Sequence, residues 1–93
     1  MNLLSELKFN LGITDNEQDE ELEKIIARGK AILEGLTGVT LDFEKEELPK
    51  SLCLDYCRYA YNNASEYFME NFKGEILRMQ LQSAVSDYNS NKS

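Results

Sequence analysis

The stretch Glu21-Leu22-Glu23-Lys24-Ile25-Ile26-Ala27-Arg28-Gly29-Lys30-Ala31-Ile32-Leu33-Glu34-Gly35-Leu36 decides the fold. Leu22, Ile25, Ile26, Gly29, Ile32, Leu33 and Leu36 recur at three- and four-residue steps, which places them on one face of a helix. Acids crowd its start at Asp15, Glu17, Asp19, Glu20, Glu21 and Glu23, where the helix dipole favours negative charge. Thr14 or Asp15 is the expected N-cap, and Gly38 is expected to close the helix. Glu20 precedes Lys24 by four residues, the better order for an ion pair. Gly29 sits within the apolar stripe, so a neighbouring helix is expected to approach closely there.

The same spacing extends both ways. Leu3, Leu4, Leu7 and Leu11 predict a short helix from about Asn2 to Leu11, with Gly12 as its left-handed terminator. Val39, Leu41 and Phe43 alternate with Thr40 and Asp42, which predicts a brief extended stretch in the connector Val39 to Leu48. Pro49 suits the first turn of a third helix. Its stripe runs Cys53, Cys57, Ala60, Ala64, Tyr67 or Phe68, and Phe72. It holds phase through Asn62-Asn63, so the expectation is one long helix to about Asn71, kinked at the asparagine pair. After Gly74, the residues Ile76, Leu77, Leu81, Ala84, Val85 and Tyr88 predict a fourth helix. The fold class is therefore all-α: a small bundle of about four helices with a long third helix and an acidic connector loop. Residues 1–88 form one helical domain, and 89–93 a flexible polar tail.

Composition supports that class. One proline and five glycines in 93 residues leave few helix breakers. A chain this short holds one domain and buries roughly two-thirds of its unfolded surface, which disfavours a deep private cavity. Ten basic against seventeen acidic residues give a net charge of −7. Phosphate backbones and anionic membranes repel such a chain. No apolar run approaches the ~20 residues of a membrane span. Met1 to Leu7 lacks the apolar core of a signal peptide, so a cytosolic origin is expected.

Chemistry finds little purchase. The chain has no histidine, the commonest general base and metal ligand. Cys53 and Cys57 stand four apart, which is neither a redox nor a zinc spacing, and read as buried reduced thiols. The run Asp15 to Asp19 begins like a calcium loop. It then offers Glu20 where a glycine is needed and Ile26 where a bidentate Glu is needed. No GxSxG, Walker or HExxH motif occurs. The expectation is a protein that is not an enzyme, with no catalytic residue, no metal and no cofactor. Tyr56, Tyr59, Tyr61 and Tyr67 crowd the third helix on several sides. They are either divided between core and solvent, or form a subunit interface, where tyrosine is enriched.

Taken in order, these segments resemble a family. Leu3-Leu4-x-x-Leu7-Lys8-x-x-Leu11-Gly12-Ile13 precedes an acidic stretch. Glu21-Leu22-x-x-Ile25-Ile26-x-x-Gly29-x-x-Ile32 and Leu36-Thr37-Gly38 follow, then Leu48-Pro49-x-x-Leu52 and Tyr59-x-Tyr61-Asn62. The order is similar to that of the small head–tail connector proteins of tailed bacteriophages and prophages, also called head-completion or DNA-packaging adaptor proteins. The likeness spans about Leu3 to Asn63. It implies a helical protein that joins dodecameric rings under the portal, prolongs the DNA channel, and presents a surface to the next connector or tail protein. It places the protein at the virion head–tail junction, and in the host bacterial cytoplasm during assembly. Self, the portal protein and the next connector or tail protein are the implied partners, the isolated chain being compatible with a monomer. DNA would pass without specific binding, and no membrane is involved. Asp42, Glu44, Glu46 and Glu47 either face that channel or form an ordinary solvated loop. The tail residues Asp87, Tyr88 and Asn89 become candidate portal contacts. The competing reading is an acidic DNA mimic or regulatory binding protein of phage origin, acting as a monomer or dimer. A weaker one is a helical subunit of a bacterial regulatory complex.

Overall fold

The stripe from Leu22 to Leu36 lies on a helix that runs Asp19–Thr37. The structure, a computed structural model, describes the backbone of residues 2–91 and the side chains of residues 2–85. Among these residues the regular structure is all helical, with no strand. The elements are α1 (Leu3–Leu11), α2 (Asp19–Thr37), α3 (Glu47–Tyr61), a 3₁₀ turn (Ser65–Tyr67), α4 (Phe68–Asn71) and α5 (Lys73–Asn91).

The core forms where α2 crosses α3. Leu22, Ile25, Ile26, Gly29 and Leu33 are buried on α2, and Leu52, Cys53, Tyr56 and Cys57 on α3. The two helices run antiparallel. Cys53 Sγ lies 3.9 Å from the Ile26 carbonyl, and the Tyr61 hydroxyl donates to Gln18 Oε1 at 3.2 Å, near the start of α2. Gly29 permits the close crossing the stripe implied. A Cβ at that position would stand 3.0 Å from Tyr56 Cδ2 and 3.3 Å from Cys53 Sγ. α1 adds Leu3 and Leu7 to this core, and α5 adds Ile76 and Met79.

Local chemistry sets the helix ends. The Asn2 side chain accepts from the Ser5 amide at 2.8 Å and caps α1. Gly12, at φ 73°, ends it, while the Ile13 amide reaches the Lys8 carbonyl. Neither Thr14 nor Asp15 caps α2, contrary to expectation. Asp15 Oδ1 accepts from the Glu17 amide at 3.0 Å, so it stabilises a local turn and the helix begins four residues later, at Asp19. Lys8 Nζ ties this turn to α1, at 2.7 Å from both Asp19 Oδ1 and Asn16 Oδ1.

The long third helix is the main correction. α3 stops at Tyr61, and the chain turns through Asn63 at φ 57°. The Ala64 amide bonds the Tyr59 carbonyl at 2.8 Å, and the Asn63 amide bonds the Ala60 carbonyl at 3.1 Å. This is the Schellman arrangement, with asparagine as the left-handed residue. α1 ends with the same pair of bonds around Gly12. The apolar phase that crosses Asn62-Asn63 belongs to two segments folded against each other. Phe68 comes back to meet Tyr56 edge-on, with ring centroids 5.5 Å apart. Among the described residues the bundle consequently has five α-helices where about four were expected.

The connector between α2 and α3 forms a turn, although its alternation survives as burial. Leu41 and Phe43 face the core while Thr40 and Asp42 face solvent. The Leu41 amide donates to Glu34 Oε2 at 2.8 Å, which ties the connector back onto α2. α5 also differs from its expected pattern. Its packed line is Ile76 and Met79, with Gln80 Nε2 donating to the Leu36 carbonyl at 2.9 Å. Its backbone is helical to Asn91, past Tyr88 where the fourth helix was expected to end.

Candidate assembly surfaces

The four connector acids divide into two kinds. Asp42 Oδ1 accepts from the amides of Glu44 and Lys45, both at 3.1 Å, and Glu46 Oε2 accepts from the Asp42 amide at 2.8 Å. Those two carboxylates hold the turn together, and capping bonds of this kind each contribute about 1 kcal/mol. Glu44 and Glu47 are exposed and have no hydrogen-bond or ion-pair partner among the described residues. The turn is thus a rigid mount that presents two unengaged carboxylates to solvent. Below it, Phe43 is buried, and Lys30 Nζ lies 5.9 Å from the centre of its ring.

The four tyrosines do not form one surface. Tyr56 is buried against Gly29 and Phe68, and so is used inside the chain. Tyr59 packs edge-on against Phe68 and Phe72 and accepts from Asn71 Nδ2 at 3.0 Å. Tyr61 is half-buried and bonded to Gln18. Tyr67 stands apart at 57% exposure. The side chains of Asp87, Tyr88 and Asn89 lie outside the described residues.

The outer face of α5 carries a row that the sequence reading merged with the core stripe. Leu77, Leu81 and Val85 are 56%, 58% and 60% exposed. They lie four residues apart, so they form one apolar line along the helix. Ile76 and Met79 sit on a different line, facing α2 and α3. The signal was present in the sequence: the apolar positions of this segment occupy two sides of the helix, as expected of an element that meets two neighbours. Phe9, which is out of phase with Leu3, Leu7 and Leu11, was likewise overlooked.

Charge at the helix contacts is modestly perturbed. Partial burial on α3 raises the Asp55 carboxyl above its usual value. Arg58, 2.9 Å away, counteracts this, and Glu75 adds to it. The hydrogen bond to Glu6, 2.9 Å away, raises Lys50, with smaller contributions from Glu47 and Glu44. Cys53 and Cys57 are free and fully buried. The hydrogen bond between them, together with burial, holds Cys57 far above the ordinary thiol range, so it stays protonated and unreactive. Among the described residues, no group of three or more Cys, Asp or Glu could hold a metal ion, and no helix is long and apolar enough to cross a membrane.

A family model described as phage gp6-like head-tail connector protein matches residues 1–93. No curated protein and no solved structure matches the chain.

Proposed function

Because the chain belongs to the phage gp6-like head-tail connector family, we propose that it assembles as a ring beneath the portal of a tailed phage or prophage and carries the DNA channel onward. The exposed row Leu77, Leu81 and Val85 is the observation that carries this reading. A 93-residue chain has few apolar side chains to spare, and leaving three in line on one helix suits an element covered after assembly. In this reading α5 is the docking element, and its distal end, with Asp87, Tyr88 and Asn89, reaches the portal. Among the tyrosines whose side chains are described, Tyr67 is the strongly exposed one and serves a contact between subunits.

The acidic turn fits a conduit. DNA must pass without being held, and carboxylates at a lumen repel phosphate. Glu44 and Glu47 carry that role here, because Asp42 and Glu46 are engaged in holding the turn. Replacing Glu44 and Glu47 with Lys should slow DNA passage in assembled particles while leaving the fold intact. Packaging and ejection at unchanged rates would remove the channel assignment.

The direct test is to mix the chain with its cognate portal and image the product by electron microscopy. A ring under the portal is expected, even where the isolated chain is a monomer, because the portal can template the array. Portals that stay bare at saturating protein would overturn the reading.

A further inference from the structure

Phe9 is 80% exposed, more than any other large apolar side chain among those described. It lies about 200° around α1 from Leu7, so it points away from the core. A hollow of about 230 Å³ opens at the end of α3, lined by Arg58, Tyr59, Asn62 and Ala64. Each polar side chain of this lining is already engaged within the chain. Arg58 Nη2 pairs with Asp55 at 2.9 Å, Asn62 Nδ2 donates to the Arg58 carbonyl at 2.9 Å, and the Tyr59 hydroxyl accepts from Asn71 at 3.0 Å. The lining therefore offers carbon: the Tyr59 ring, the Ala64 methyl and the stem of Arg58. A guanidinium beside them favours an aromatic occupant through cation–π attraction. The Schellman turn at Asn63 creates the hollow by ending α3 and folding Ala64 back beside Tyr59.

Phe9 does not line this hollow in its own chain. We propose that Phe9 of one copy seats in the Arg58–Tyr59–Asn62–Ala64 hollow of the next. A knob on one copy and a hollow on the next can repeat from copy to copy as a head-to-tail contact, the kind that closes into rings when the rotation permits. The contact is small, well below the area of a stable dimer, and suits an array that forms on a template. The inference rests on the ring reading above and supplies one of its contacts.

Photo-cross-linking tests it. With p-benzoylphenylalanine at position 9, which retains an aromatic knob, the full chain is irradiated at millimolar concentration. Covalent dimers joining position 9 to the peptide containing residues 58–64 are expected. Ala64→Trp, which fills the hollow, should abolish them. In sedimentation, Phe9→Ser should weaken self-association at least tenfold, as loss of a central aromatic does, while Phe9→Trp retains it. No cross-link between copies, or one to another peptide, overturns the contact. Wild-type rings formed on the portal by Phe9→Ser would overturn the contact and leave the ring reading standing. Bare portals alongside a 9-to-58–64 cross-link would do the reverse.

Discussion

α2 and α5 are both 19 residues long, yet the chain uses them differently. α2 buries residues from Leu22 to Leu33, the greater part of its length, and Gly29 lets α3 come within touching distance. α5 buries Ile76 and Met79 near its start and leaves Leu77, Leu81 and Val85 at more than half exposure. Equal length and comparable apolar content thus give one helix committed to folding and one left partly unsatisfied. A face that the chain does not cover is available to a partner, whereas a face that is covered cannot be. α2 is the scaffold, and the outer line of α5 is the surface to be matched to function.

The contrast can be broken by substitution, starting where the effect is largest. Leu33→Ala on α2 removes a fully buried side chain and should cost about 3 kcal/mol, read as a lower midpoint in urea. Gly29→Ala drives a methyl against Tyr56 and Cys53 and should cost about 2 kcal/mol by overpacking. Asn63→Ala places an ordinary residue in the left-handed region and should cost about 1 kcal/mol, whereas Asn63→Gly should be neutral or stabilising. On α5, Leu81→Gln should change stability by no more than about 0.5 kcal/mol, because the side chain is already in water. If Leu81→Gln cost as much as Leu33→Ala, the two helices would not differ as described.

The smallest expected effect is on pH dependence. The folded Asp55 carboxyl titrates above its unfolded value, so the folded state binds its proton more tightly. Its contribution to stability therefore falls as pH rises through the window between the two values, and is recovered on acidification. Asp55→Asn should flatten that segment of the stability–pH curve, and an unchanged curve would contradict the assignment. Lys50 acts at the alkaline end. Its raised pKa supplies stability that is present below the unfolded value and lost as pH rises through the folded one.

Much of the scaffold was legible in the sequence. The stripe of α2, the close approach at Gly29, the terminators Gly12 and Gly38, and the all-helical class follow from spacing and from the chemistry of glycine. The break after Tyr61 was not legible from spacing, because the apolar stripe keeps its phase across Asn62-Asn63, from Ala60 to Ala64. Only the left-handed tolerance of asparagine hinted at it, and that decides the matter only once Phe68 has a place to fold back. The start of α2 was misread because Asp15 can cap a helix or a tight turn, and the choice depends on where Lys8 anchors Asp19. The surfaces were less legible than the core. Periodicity identifies apolar positions without saying which of two lines faces inward, and so it merged Leu77, Leu81 and Val85 with Ile76. The four acids looked equivalent until the amides around Asp42 separated those that hold the turn from those that face outward.

The measurement that bears most directly on the contrast is a single variant carrying Leu77→Gln, Leu81→Gln and Val85→Gln, compared with wild type for thermal melting and for ring formation on the cognate portal. The expected result is a melting temperature close to wild type together with portals left bare, while wild type forms rings. A variant that melts normally and still fills the portal with rings would show that the outer line of α5 is not an assembly surface, and would contradict the account.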